Sequence, residues 1–162
     1  MEKNMNDFQQ HILKSKNIIK LKRKFNKFNF NNKHILEIGI GTGQFTKCFY
    51  NKKLFLTAFE IDKNLKYQIY KNKLNKKNVK IVFKPFELSE IFKYKKYIII
   101  SAPPYILLEG LSKEIKKYKM KFLLMVGERY LKYFEKFKII QKIEGKEFIP
   151  LSRGNHFIIS NI

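Results

Sequence analysis

Tryptophan is missing from this chain of 162 residues, cysteine occurs once, and Asp and Glu together number only 13 against 35 Lys and Arg. Each scarcity closes a class of explanation. A lone Cys48 allows no internal disulfide and no cysteine-cluster metal site. The chain is therefore expected to be metal-free and to work in a reducing, cytoplasmic compartment, with Cys48 as a small core residue. No apolar run approaches the length of a bilayer span, and no N-terminal apolar core with a cleavage site is present. Four prolines and seven glycines are too few and too scattered for a linker. With no internal repeat either, 1–162 reads as one domain, a basic segment over 1–30 followed by a core over 31–162. Aromatic bulk for that core comes from 16 Phe and 9 Tyr.

The shortage of acids leaves a formal charge of +22. Such a charge favours polyanionic partners, nucleic acid first and an anionic membrane surface second. Compositional drift towards Lys, Asn and Ile produces the same charge with no partner, so motifs must decide.

One stretch organises the chain: His34-Ile-Leu-Glu-Ile-Gly-Ile-Gly-Thr-Gly-Gln-Phe-Thr46. Ile35, Leu36 and Ile38 read as a buried strand, and Gly39, Gly41 and Gly43 as a turn able to take positive φ and let a ligand lie on bare backbone. A helix is expected to open near Gln44 and Phe45, with its free N–H groups towards that ligand. The spacing is Gly-x-Gly-x-Gly, not the Gly-x-Gly-x-x-Gly of dinucleotide folds. Glu37, two residues before the first glycine, suits the cationic amino-acid end of S-adenosylmethionine. Leu54-Phe-Leu-Thr-Ala-Phe-Glu60 reads as the next strand, ending in an acid about twenty residues past the glycines, where α/β nucleotide sites hold a ribose hydroxyl. Ile98-Ile-Ile-Ser-Ala-Pro-Pro-Tyr105 reads as a third buried strand, stopped by two prolines and a tyrosine. Proline cannot donate to a sheet ladder, so the chain turns out at the carboxyl edge of the sheet, where an aromatic ring can stack on a base.

Further along, helices are expected over 63–74, 109–118 and 128–134, and strands over 79–83, from Tyr97, over 122–126, 137–143 and 157–160. This alternation predicts a doubly wound α/β sheet with antiparallel strands at the end. Lys14 to Lys27 is basic, with Phe25, Phe28 and Phe30 interleaved. It reads either as an arm that tracks phosphates and stacks bases, or as a solvated helix whose aromatics enter the core. His34 and His156 read as ordinary satisfied histidines. Arg129, Arg153 and the lysines over 113–121 fit a phosphate-binding face and solvated charge equally well.

Taken together these residues resemble the ribosomal RNA adenine N6-dimethyltransferase family, which includes the erythromycin-resistance methylases. The matching pieces, in order, are Gln10-His-Ile-Leu13, Leu36 through Thr46, Phe59-Glu-Ile-Asp62, Ala102-Pro-Pro-Tyr105, and Phe148-Ile-Pro150 with the strand at 157–160. The resemblance implies a Rossmann-like seven-stranded methyltransferase fold, S-adenosyl-L-methionine as cofactor, and an adenine of structured, ribosomal RNA as substrate. It assigns His11, Leu13, Glu37, Gly39, Gly41, Gly43, Glu60 and Ile61 to the cofactor. Ser101, Ala102, Pro103, Pro104 and Tyr105 fall to the target base, with Tyr105 stacking on the ring. Two positions depart from the family pattern. Ala102 stands where the family has Asn, leaving Ser101 as the nearest hydroxyl, and Pro85 stands where an acid holds the cofactor's adenine, with Glu87 displaced nearby. The chain also stops where the family usually adds a small helical domain, whose RNA grip the basic segment is expected to replace in part. A monomer is expected. Ala102 also admits a catalytically silent nucleic-acid-binding protein on the same fold, and the Pro-Pro-Tyr turn admits a methylase for another substrate.

Overall fold

A computed structural model describes residues 12–162; His11 lies outside them. The elements, in order, are strand β1 (Ile12–Leu13), helix α1 (Ser15–Phe25), β2 (His34–Ile38), β3 (Phe55–Phe59), α2 (Lys66–Lys71), β4 (Val79–Val82), β5 (Ile98–Ser101), α3 (Leu108–Tyr118), β6 (Phe122–Gly127), β7 (Lys138–Ile143), β8 (Phe148–Ile149) and β9 (His156–Ser160). Seven strands make one sheet in the order β4-β3-β2-β5-β6-β9-β7. The first five lie parallel to their neighbours, whereas β9 runs antiparallel to both β6 and β7. This is the doubly wound seven-stranded architecture expected from the sequence.

The central strands are apolar on both faces because helices and turns cover both. In β2, Ile35 packs into one cluster with Leu21, Phe25 and Phe45, while Leu36 and Ile38 pack into the other with Leu108, Leu111 and Ile115. That alternation follows from the two-residue period of a strand. Helix α1 buries Asn17, Leu21 and Phe25, one residue per turn, and leaves Lys20, Lys22 and Arg23 exposed. Phe25 meets Phe45 edge-on at 5.9 Å, and Phe30 is also buried. Phe25 and Phe30 therefore belong to the core, with Phe28 half-buried against it, as the solvated-helix reading expects of the aromatics.

Three expected helices are shorter than their periodicity implied. After the glycine turn the chain makes only a 3₁₀ turn over Thr46–Cys48. Bonds from Lys47 and Tyr50 to the fourth residue back alternate there with bonds from Cys48 and Phe49 to the third. Asn51 then closes a local turn by accepting the Lys53 N–H, which stops propagation before β3. Residues 63–74 divide into a 3₁₀ turn at Lys63–Leu65 and α2, and 128–133 form a 3₁₀ segment. The first two still bury the expected face, with Phe45 and Phe49 in one and Leu65, Ile69 and Leu74 in the other, whereas 128–133 has no fully buried residue.

A second, two-stranded ladder was not foreseen. In it β1 pairs antiparallel with β8, Ile12 opposite Ile149 and Leu13 opposite Phe148. Asn17 Nδ2 reinforces it by donating to Glu147 at 2.7 Å, as does the Lys14 N–H to the Glu147 carbonyl at 3.0 Å. No helix among the described residues is long and apolar enough to cross a membrane.

Candidate cofactor and base pocket

Strand order reverses at β2: β3 and β4 lie to one side, β5 and β6 to the other. Loops leaving the two sides diverge there and open a crevice at the carboxyl ends of the strands. The crevice holds a cavity of about 600 Å³. Its wall includes Gly39, Gly41, Glu60, Ile61, the whole turn Ala102 to Tyr105, and Leu13 from the small ladder.

The glycine loop is pinned to the end of β3. Phe59 C=O accepts the N–H groups of Gly39 and Ile40 at 2.9 and 3.0 Å. Glu60 then takes the Gly41 N–H on Oε2 at 2.7 Å and the Asp62 N–H on Oε1 at 2.9 Å. All three glycines have positive φ, and they serve different purposes. A Cβ on Gly41 would meet nothing within 4 Å, so its missing side chain leaves open space in the cavity wall. A Cβ on Gly43 would lie 2.5 Å from Leu74 Cδ1, so that glycine serves packing behind the wall.

Two buried polar groups of this loop bear on what the cavity holds. Glu60 is 4% exposed, and among the described residues no cation lies within ion-pair distance of it. Gln44 Oε1 is buried with no hydrogen-bond partner among the described residues, and Gln44 lines the cavity. Buried acceptors without donors are rare, because each costs about 1–3 kcal/mol. A ligand bearing hydroxyl or amino donors fits this cradle.

Glu37 departs from its expected place. It is 1% exposed and lies behind the loop rather than in the cavity wall, accepting the Thr46 hydroxyl at 2.8 Å. Burial pushes its carboxyl well above the usual carboxylate range, the Thr46 hydrogen bond pulls it down, and the neighbouring charge of Glu60 adds to the rise. A raised acid contributes stability in full below its ordinary value of 4.5 and loses that contribution as pH rises through the folded value. Glu37→Gln is therefore expected to raise Tm at pH 8, by about 2–4 °C for each kcal/mol recovered. It should change Tm little at pH 4. Circular-dichroism melts at both pH values check this, and an equal shift at both would refute it.

Ser101 is also elsewhere. Its Oγ donates to the Ile38 carbonyl at 2.7 Å and accepts the Ile38 N–H at 3.1 Å, fully buried between β5 and β2. It ties the two strands together where their loops part and supplies no hydroxyl to the cavity. Pro104 abuts the glycine loop, its Cδ 3.2 Å from where a Gly39 Cβ would lie.

Tyr105 is half-buried and stacks on Tyr130 at 4.8 Å and 22°. Burial raises its phenol, Tyr130 adds to the rise, and Arg129 opposes it. Its hydroxyl lies 3.3 Å from His156 Nδ1, and His156 Nε2 lies 2.7 Å from Ser152 Oγ. His156, read from sequence as an ordinary histidine, lines the cavity, as do Gln44, Phe86, Met125 and Phe148. Gln44 and Phe148 belong to stretches that the sequence singled out, whereas His156 and Phe86 carried no signal there and are brought in from distant segments. Lys84 and Pro85 line the wall where the family acid was expected, while the exposed Glu87 does not.

The family model for ribosomal RNA adenine dimethylase matches residues 1–135. The chain belongs to that family. It is 38% identical over 130 residues to ribosomal RNA small subunit methyltransferase A of Mesomycoplasma hyopneumoniae, covering 78% of this chain and 48% of that protein. It is 33% identical over 151 residues to the same-named protein of Mycoplasma mobile, covering 91% and 56%. This dimethylase-family chain thus spans about half the length of the curated relatives it matches. Among solved structures, the 23S rRNA methyltransferase ErmE superposes with a TM-score of 0.69 at 13% identity, covering 92% of this chain and 68% of that one. A dimethyladenosine transferase from Plasmodium falciparum gives 0.67 at 18% identity, covering 93% and 62%. At such identities the likeness establishes the fold, and within it the dimethylase-family motifs occupy the cavity described above.

Proposed function

We propose that the protein transfers methyl groups from S-adenosyl-L-methionine to the N6 amine of an adenine in ribosomal RNA. What carries the reading is one cavity walled at once by a positive-φ glycine loop, a buried acid and the Ala102-Pro-Pro-Tyr105 turn. When bound, S-adenosyl-L-methionine supplies an electrophilic methyl on a sulfonium. Each oxygen of Glu60 already accepts one main-chain N–H and keeps capacity for a second donor, which suits the two ribose hydroxyls. Bare backbone at Gly41, with Gln44 Oε1 beside it, receives the methionine end. Ile61, Pro85 and Phe86 supply a flat apolar slot for the adenine. Leu13 closes the wall from the ladder side. Glu37 and Gly43 act one layer back, by holding the loop in shape.

Across the cavity, the 102–105 turn receives the target base, and Tyr105 offers it an aromatic edge. Ala102 has no side-chain acceptor and the Ser101 hydroxyl is committed to Ile38, so the target amine meets main-chain carbonyls alone. Rate then depends on positioning, where each well-aimed hydrogen bond is worth about 10²–10³. Ala102→Asn is expected to leave methyl transfer intact or raise it, by up to about 100-fold, and Tyr105→Ala to lower it. Transfer of labelled methyl to deproteinised ribosomal RNA and to small ribosomal subunits measures both. No transfer from wild type or Ala102→Asn to either substrate would sink the enzyme reading and leave a basic nucleic-acid-binding protein.

A further inference from the structure

Only three of the 35 basic residues are arginines, Arg23, Arg129 and Arg153. Two of those sit on adjoining loops, Arg129 near Tyr105 and Arg153 next to Ser152, whose hydroxyl meets His156; Tyr105 and His156 line the cavity. Arg129 is the second residue of the 3₁₀ segment that follows β6, and Arg153 lies on the loop between β8 and β9. The loops are fastened to each other: the Glu128 N–H donates to the Asn155 carbonyl at 3.0 Å, and Asn155 Nδ2 to the Glu128 carboxylate at 3.3 Å.

Arg129 is placed by rings. Its guanidinium carbon lies 4.7 Å from the Tyr130 centroid and 5.9 Å from the Tyr105 centroid, and the rings are 4.8 Å apart. Three such lengths close a compact triangle. The guanidinium therefore lies near both rings and not on the far face of Tyr130. Arg129 Nη2 donates to Tyr130 Oη at 2.8 Å, which fixes the fork. Gly127 lies against both rings: a Cβ there would be in contact with Tyr130 Cδ2 at 3.4 Å and Tyr105 Cε1 at 3.8 Å. Arg129 and Arg153 are exposed, and among the described residues no carboxylate lies within ion-pair distance of either.

We propose that Arg129, held against Tyr130 and Tyr105, is the phosphate anchor for the RNA backbone at the everted adenosine, with Arg153 taking an adjacent phosphate. The inference rests on the RNA-methylating reading of this cavity and names the residue that holds the substrate's backbone there. Everting a base costs a few kcal/mol of unstacking, and gripping the phosphates beside the pocket helps to offset that cost. A planar guanidinium grips phosphate with two parallel hydrogen bonds, which an ammonium cannot do. This explains arginine at the mouth in a chain that uses lysine almost everywhere else.

The test is oligoadenylate binding by fluorescence anisotropy across a salt series, comparing wild type with Arg129→Ala, Arg129→Lys and Arg23→Ala. Arg23 is an exposed cation on α1 and serves as the matched loss of charge. Arg129→Ala is expected to weaken binding about tenfold at low salt and to reduce the log–log salt slope by about 0.7, the loss of one phosphate contact on a single strand. Arg129→Lys should keep the slope and still bind several-fold more weakly. An unchanged slope in Arg129→Ala, or an equal change in Arg23→Ala, overturns the proposal. Donor titration of the same variants should match wild type. Failure of wild type to bind donor would strike the reading of the cavity, whereas the salt slope strikes only the anchor.

Discussion

Glu60→Ala is expected to abolish saturable binding of S-adenosyl-L-methionine, with Kd rising at least 100-fold in a calorimetric titration. The carboxylate does two jobs at once. It offers the ligand its remaining acceptor sites, and it clamps Gly41 and Asp62 by their N–H groups at 2.7 and 2.9 Å. Hydrogen bonds to charged groups are worth about 1.5–3 kcal/mol each. Losing two to the ligand alone gives roughly 3 kcal/mol or more, about a hundredfold in affinity. Loosening the loop adds to that. Glu60→Gln keeps the shape and one acceptor oxygen, so it should fall between the two. Wild-type affinity in Glu60→Ala would mean that this cavity is not the donor site.

Gly43→Val should have the largest effect on stability, about 3 kcal/mol or more in urea unfolding, as the sum of left-handed strain and overpacking. Its φ is +81°, and the new Cβ would land 2.5 Å from Leu74 Cδ1, at the end of a side chain that is 2% exposed and so has little room to move. The neighbouring Gly41→Ala separates the two causes. There φ is +57° and nothing lies within 4 Å, so the fold should lose only about 1 kcal/mol while donor binding suffers from a methyl in the cavity. If Leu74→Ala restores part of the stability lost in Gly43→Val, the clash is the cause. Equal stability of Gly43→Val and wild type would show that the loop adopts another path.

The sheet was legible because its central strands are buried on both faces and so read as unbroken apolar runs, as Ile98 to Ile100 does. Residues around the glycine loop were legible for a related reason: acids are scarce, and Glu37 and Glu60 each end or interrupt such a run. Local pattern misled where side chains answer to distant partners. Phe45 and Phe49 have helical spacing and both are buried, yet Thr46 is drawn to Glu37 and the chain must turn at Asn51 to enter β3. Glu37 looked like a ligand group because sequence shows that it is an acid and not which side of the loop it faces. Ser101 and His156 needed tertiary pairs 63 and 51 positions away, Ile38 and Tyr105, which no local window contains. The β1–β8 ladder is two residues long, below the length at which alternation can be seen.

That ladder also sets an order of events. Leu13 and Phe148, partners in it, both line the cavity, so the pocket's wall closes through a contact spanning nearly the whole polypeptide. Loop-closure entropy grows with the chain enclosed, and two ladder pairs with the Lys14 and Asn17 bonds to Glu147 offset it here. The parallel core can assemble from β2 through β6 first, and the ladder joins afterwards. The ladder side of the ligand pocket therefore closes only once Phe148 has been made, after β2 through β6 have placed most of the wall.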